Sequence, residues 1–264
     1  MGIIDPVLER KVEELKQRLP TVDIDGQTFY VAEGDLLFEE ARLPEYLPNA
    51  ANVLPPNRPA GGQGLLGVAV NGRSVRWPSG LKLSYRVLAS TFNGDEAYTR
   101  VRDNMAAATR DWEKTCGVEF QHVAALDTTD RRDVDVVFTV RAFDSGGRFI
   151  AAAFFPNTPA ERRTLLVDPS YFSSNLGFDR VGILRHELGH VLGFRHEHIR
   201  SGAPPICPQE SLANTIDLTK YDPQSVMHYY CGRVGSREMA ITQLDKEGAQ
   251  RVYGPPVARP RRAA

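Results

Sequence analysis

Residues His186 to His198 read His-Glu-Leu-Gly-His-Val-Leu-Gly-Phe-Arg-His-Glu-His. The stretch carries every group needed to hold a metal ion and activate water on it. His186 and His190 are four residues apart, so on a helix they project from one face with Cβ atoms roughly 5–6 Å apart, and both imidazoles can reach one ion. Continuing that helix would turn His196 to a different face, so the chain must turn sharply after Leu192. Gly193 permits the turn, because glycine adopts a positive φ at little steric cost and is the usual residue just past a helix end. Three neutral imidazoles around one Zn²⁺ per chain leave a position open for water, as in a catalytic site rather than a closed structural one. Glu187, beside the first ligand, is placed to take a proton from that water as general base. The chemistry implied is hydrolysis of an amide bond.

A buried amphipathic helix with ordinary core histidines is the plainer reading, but five of the six histidines fall between His186 and His228, with only His122 elsewhere. His198 and His228 read as structural, since the three-histidine site is complete without them. A non-catalytic, zinc-dependent binding or inhibitory module is the alternative function. Glu187 argues against it, because a metal-binding module has no need of a base beside its ligands.

The pattern H-E-x-x-H-x-x-G-x-x-H, with Ser225-Val226-Met227-His228-Tyr229 downstream, resembles the metzincin metallopeptidases and their methionine turn. That pentapeptide and the run His196-Glu197-His198-Ile199-Arg200 resemble the astacin family in particular. The resemblance spans Arg76 to Gly254. It implies an α+β catalytic domain with a twisted mixed β-sheet, a long zinc-binding helix and a Met-turn, acting as a zinc endopeptidase on protein or peptide substrates. It also implies that Met227 forms an apolar floor beneath the ligands and that Tyr229 is a displaceable fifth ligand. A phenol there could swing away and donate a hydrogen bond to the oxyanion that develops during attack; the other reading of Tyr229 is a packed, half-buried tyrosine. By the same resemblance Glu197 pairs with a new N-terminus released by activation cleavage in the linker or just after it, between Gly64 and Arg73. A local salt bridge with Arg195 or Arg200 is the competing role for Glu197.

Several elements must position these groups. Asp95 to Lys114 is predicted as a long helix, with Val101, Met105, Ala108 and Trp112 at three- and four-residue steps. Arg76-Trp77-Pro78 followed by Leu81 to Tyr85 resembles the first strand of an astacin-type catalytic domain; strands are predicted at Asp135 to Arg141, Phe149 to Phe155 and Thr164 to Asp168, and a closing helix at Thr242 to Val252. Phe149 to Phe155 is either an exposed edge that pairs with extended substrate or an interior strand, since its almost continuous apolar run suits burial too.

At 42% hydrophobic and 25% charged, with a net charge of −1, the composition fits a globular protein with a sizeable core. Charges are mixed and the one basic cluster is Arg259-Pro260-Arg261-Arg262, so no nucleic-acid partner is expected. No apolar run reaches the ~18 residues of a membrane span. Oligomeric state is not legible. The expected organisation is a propeptide-like segment at 1–46 with a charged helix (Pro6 to Leu19) and a strand (Gln27 to Val31), a linker at 47–75 rich in Pro, Asn, Ala and Gly, the catalytic domain at 76–255, and a basic tail at 256–264.

Astacin propeptides resemble one another at Phe-x-Gly-Asp, and Ala32-Glu33-Gly34-Asp35 keeps the Gly-Asp without the aromatic residue. The resemblance implies that Asp35 is a latent-state metal ligand; an ordinary Gly-Asp turn is the other reading. With no cysteine before Cys116, a matrixin-type cysteine switch is excluded. Cys207 and Cys231 flank the segment between zinc loop and Met-turn, where a disulfide would brace the wall of the site. Cys116 is left as a buried thiol. Met1 to Pro20 shows no apolar secretory core, yet the disulfide favours an oxidising, extracellular setting.

Overall fold

Pro6 opens the first helix, where its missing N–H and fixed φ cost nothing. The structure, a computed structural model, describes residues 6–47, 65–70, 72–131, 134–200, 202–208 and 212–257. Helix α1 (Pro6–Arg18) carries Glu9 in its first turn and Lys16 and Arg18 in its last, matching its dipole. Strands β1 (Thr21–Ile24) and β2 (Gln27–Ala32) form a hairpin turned by Asp25 and Gly26, both at positive φ, and β3 (Leu36–Phe38) pairs antiparallel with β2. The short helix α2 (Leu43–Tyr46) follows. Leu15, Ala32, Leu36, Phe38, Leu43 and Tyr46 form a small core that also takes in Val68 and Phe155.

The body begins with β4 (Leu66–Val70) and β5 (Arg73–Ser74), an antiparallel pair, and continues with β6 (Lys82–Val87), α3 (Asp95–Thr115), β7 (Glu119–His122), β8 (Phe138–Ala142), β9 (Ala151–Ala152) and β10 (Thr164–Val167). After these come α4 (Arg180–Val191), β11 (Phe194–Arg195), β12 (Thr215–Asp217) and α5 (Gln243–Tyr253). The main sheet has the order β7-β6-β8-β10-β9, parallel throughout except for antiparallel β9 at its edge. It is a mixed sheet packed on helices, the α+β metzincin architecture.

Helix α3 buries the predicted stripe of Val101, Met105, Ala108 and Trp112 against α4 and β6. Each such side chain contributes roughly 1.5–3 kcal/mol by leaving water. Trp112 also fixes α4 along its length, since its indole N–H donates to the Arg185 carbonyl at 2.8 Å. Trp77 does the same for the C-terminal end of α4, donating to the Val191 carbonyl at 2.7 Å.

Two expectations change here. The stretch read as linker through residue 75 contains β4, which pairs with both β11 and β12; Gly- and Ala-rich composition hid a strand whose main chain, not its side chains, does the holding. Residues 48–64, the rest of that linker, and the cluster Arg259 to Arg262 lie outside the described residues. The strand expected over Phe149 to Phe155 shrinks to Ala151–Ala152, because Phe154 and Phe155 turn into the core instead of continuing along β10. Cys207 and Cys231 form a disulfide with Cα atoms 5.2 Å apart, and Cys116 is a buried free thiol. Among the described residues no helix is long and apolar enough to cross a membrane.

Candidate metal centre

Helix α4 starts at Asp179, whose carboxylate caps the Gly182 N–H. His186, Glu187 and His190 lie on its buried C-terminal half. The helix stops at Gly193, which takes φ +90 and donates its N–H to the His190 carbonyl at 2.8 Å. A side chain at Gly193 would collide with the Val75 carbonyl. The two residues of β11 then lead directly to His196, held in place by pairing Phe194 with Gly67 and Arg195 with Leu66. The third histidine is therefore positioned by β4, which the sequence reading had assigned to the linker.

Three imidazoles converge. His186 Nε2 lies 3.2 Å and His190 Nε2 3.1 Å from His196 Nε2. His186 Nδ1 is 2.7 Å from the Val226 carbonyl and His190 Nδ1 2.8 Å from the Phe194 carbonyl. A carbonyl only accepts, so both Nδ1 atoms carry the proton and both Nε2 atoms present lone pairs. His196 Nδ1 faces Glu33 Oε2 at 3.1 Å, which fixes its tautomer the same way. Three lone pairs aimed at one point repel unless a cation lies between them. Burial pushes His190 down to about 4, so its ring is neutral at neutral pH, as a ligand requires.

Asp35 completes the cluster: with His186, His190 and His196 it forms a buried group whose ligand atoms all lie within 4.8 Å of one another. Its Oδ1 has no hydrogen-bond partner among the described residues. A buried carboxylate oxygen without a donor is costly, and a cation among the histidines would satisfy it. Burial tends to raise Asp35, but His196 and His190 outweigh that and hold it well below the usual carboxylate range. This donor set, three nitrogens and one carboxylate, fits Zn²⁺.

The other predicted residues surround this centre. Glu187 is buried with Oε2 unpartnered among the described residues, and burial first, Asp35 second, push its carboxyl well above the ordinary value. The Tyr229 ring lies 4.4 Å from that of His196, and its hydroxyl is 2.6 Å from Asp35 Oδ2. Met227 packs against Gly189 of α4, where any Cβ would overlap its sulfur. The Met-turn itself is held by Asp245, which accepts from Ser225 Oγ at 2.6 Å and the Val226 N–H at 2.8 Å. Glu197 Oε1 accepts from the Asp222 N–H at 2.9 Å and lies 3.5 Å from Arg200 Nη1, while Oε2 has no hydrogen-bond partner among the described residues. Burial pushes Glu197 up to about 8. Arg195, the other partner suggested for Glu197, pairs instead with Glu33.

The matrixin peptidase family matches residues 76–206. Stromelysin-3 of Rattus norvegicus is 28% identical over 162 residues, covering 59% of this chain and 31% of its own length. The Xenopus laevis stromelysin-3 is 25% identical over 69% of this chain and 33% of its own. The chain thus spans about a third of the length of these relatives. In fold it is similar to myroilysin, with a TM-score of 0.51 at 17% identity over 73% of this chain and all of that one. The matrixin match and the myroilysin-like fold support a metzincin zinc metallopeptidase. The centre brings together residues from three separated regions: α4 and the turn after it, the Met-turn, and the N-terminal segment around Asp35.

Sequence reasoning missed Glu33 and β4. The first had a signal, an acidic residue beside the Gly34-Asp35 pair. The second had none beyond the small apolar run Leu65 to Val70.

Proposed function

We propose that this metzincin is an endopeptidase made in a latent form of astacin-like design, with residues 1–46 as the inhibitory segment. The observation that carries the reading is the Asp35 carboxylate among the three histidines, beside Glu187. His186, His190 and His196 are the residues that hold zinc, and Asp35 occupies the position a water must take. Bound there, zinc supplies a Lewis acid that polarises a carbonyl oxygen and lowers the pKa of water.

The remaining chemistry belongs to the chain. Glu187 accepts a proton from the attacking water and passes it to the leaving amine, and its burial raises its pKa above the ordinary carboxylate value, the direction that strengthens it as a base. Tyr229, released from Asp35, donates its hydroxyl to the developing oxyanion. The edge of β9 offers main-chain groups to an extended peptide. In the latent chain that edge is occupied: the Ala153 N–H donates to the Asp35 carbonyl at 3.3 Å, and Leu36 bridges Ala153 in parallel.

Glu197 immediately after His196, and Tyr229 two residues after Met227, favour the astacin-like arrangement over the matrixin one. A cysteine switch has no candidate, because Cys207 and Cys231 are joined and Cys116 is in the core. Activation by cleavage has to fall before Leu65, since a cut within β4 would release the strand that positions His196. The unpartnered Glu197 oxygen is then the acceptor for the new N-terminus. The disulfide favours an oxidising, extracellular compartment for the working enzyme.

The test is cleavage of a quenched fluorescent peptide library by the intact chain, by Asp35→Ala and by Glu187→Ala, with bound zinc quantified. Asp35→Ala is expected to release activity, and Glu187→Ala in that background to lower it by about a thousandfold with one zinc per chain retained. Zinc at one per chain without cleavage by any form would leave a binding module.

A further inference from the structure

The N-terminal segment is also held to the body by residues that take no part in the metal centre. Side chains of β2 alternate between its two faces, Phe29 and Val31 on one and Tyr30 and Ala32 on the other. The first face, with Val22 of β1, joins Phe149, Ala152 and Leu166 of the body in one buried cluster. The second is covered mainly from within the segment, by Leu15 of α1, Leu36 and Phe38 of β3 and Leu43 and Tyr46 of α2, together with Val68 and Phe155. The segment is therefore a small packed unit that lays one apolar face of its hairpin on the body.

Polar pairs join the same two parts. Arg141 Nη2 lies 3.0 Å from Asp25 Oδ2 at the hairpin turn, and Arg162 Nε lies 2.6 Å from Glu39 Oε1. Arg42 Nη1 donates to Thr158 Oγ1 at 2.9 Å, and Asn214 Nδ2 donates to the Glu45 carbonyl at 2.5 Å. Ion pairs of this kind fix register more than they add affinity. The apolar cluster adds affinity, because undocking returns the buried Phe149, Ala152 and Leu166 to water. None of these contacts uses the chain between residues 47 and 65. A chain connection supplies an effective concentration of about a millimolar, and a cut there removes that alone.

We propose that the face around Phe149, Ala152 and Leu166, framed by Arg141 and Arg162, is a docking site that holds the N-terminal segment as a separate chain. One cut between residues 47 and 65 then leaves residues 6–46 bound with Asp35 still at the metal, and activity appears only when the segment itself is displaced or destroyed. The occupant is defined by its chemistry: a hairpin with alternate apolar side chains on one face, a carboxylate at its turn and a second carboxylate just past the third strand. The proposal rests on the reading of the segment as a latency device, and it adds a second requirement to activation.

The test uses the full-length, zinc-loaded chain with residues 54–60 replaced by the recognition sequence of a site-specific protease. The chain is cut to completion, passed through gel filtration at about micromolar concentration, far below what the connection supplied, and assayed on a quenched peptide. The two pieces are expected to elute together, and the cut sample to cleave within about twofold of the uncut chain's rate. Asp35→Ala opens the metal without undocking the hairpin, so its cut pieces still elute together. Phe29→Asp puts a carboxylate into the apolar face, and its cut pieces are expected to separate, with the body keeping one zinc and gaining activity. One zinc per body verifies the fold; where the aspartate variant fails that check, Phe29→Ala, which shrinks the same contact, takes its place. Separation and activity in the parent after the single cut overturn the docking site. Separation caused by Asp35→Ala does so too, since the anchor is then the metal, as does co-elution of the pieces of the Phe29 variant. Failure of the latency reading looks different: the uncut parent then cleaves peptide as fast as the body freed by the Phe29 variant, whether or not the parent's cut pieces elute together.

Discussion

The Tyr229 hydroxyl lies 2.6 Å from the Asp35 carboxylate, 194 residues earlier in the chain, and also 2.6 Å from the Glu33 carbonyl oxygen. It has one hydrogen, so it serves one acceptor at a time, and either one keeps it from a substrate. On the latency reading proposed above the same hydroxyl has two jobs in two states, and Tyr229→Phe separates them. In the intact chain the substitution loosens the segment, read as faster proteolytic removal of residues before Leu65. In the Asp35→Ala background it lowers kcat by about a hundredfold with little change in KM, the usual cost of losing an oxyanion donor. Unchanged kcat in that background would make Tyr229 a latch only.

Gly34 is the residue that lets Asp35 reach the metal centre. It takes φ +88, and a Cβ there would sit 3.0 Å from the Tyr229 hydroxyl. Gly34→Ala adds left-handed strain of about 1–2 kcal/mol, and that strain exists only while the segment is docked. The intact variant should cleave peptide about tenfold faster than the parent and more slowly than Asp35→Ala. Initial rates on one quenched peptide decide it; a rate equal to the parent's would show that the docked segment absorbs the strain.

Much of this arrangement was legible because it is written in short spacings. The four-residue step from His186 to His190, the glycine at 193 and the methionine turn each have one local geometry that works, so a single sequence fixes them. The stripe of α3 was readable for the same reason. What escaped was pairing at long range between residues with no chemical signature. The Leu66 to Val70 strand is small and apolar, and only its hydrogen bonds to Phe194–Arg195 and Thr215–Asp217 give it meaning. Glu33 escaped because its partner, Arg195, is 162 residues away and was weighed only against its neighbour Glu197. The Phe149 to Phe155 run was over-read as strand because apolar residues suit a core turn equally well.

Acid sensitivity should reside partly in Asp168. Its carboxylate accepts from the Ser145 N–H at 2.8 Å, the Ser145 hydroxyl at 2.7 Å and the Ser170 N–H at 2.8 Å, tying the loop after β8 to the end of β10. Burial tends to raise its pKa, but these donors outweigh burial and hold it below the ordinary value of 3.8. A carboxyl depressed in the folded state adds stability at pH above its unfolded value, and that stability is lost as pH falls through the folded one. Urea midpoints should thus drop below about pH 4, and Asp168→Asn should be less stable at neutral pH with a shallower acid limb. Parallel acid limbs for parent and variant would assign the sensitivity to other carboxylates.

Gly189 and Met227 test whether the Met-turn is a floor or a filler. A Cβ on Gly189 would overlap the Met227 sulfur and lie 3.5 Å from the Trp112 ring. Gly189→Ala should cost about 1–3 kcal/mol by overpacking, despite the helix-favouring gain of alanine over glycine. Met227→Leu, close in volume, should cost less than about 1.5 kcal/mol. The combination Gly189→Ala with Met227→Ala should recover part of the loss, because the new methyl enters the space the sulfur vacates. Measured by urea denaturation of the zinc-loaded chain, a coupling energy near zero in this double-mutant cycle would mean that the two residues do not share one packing site. A sizeable coupling with zinc stoichiometry unchanged would show that the turn supports α4 by contact alone.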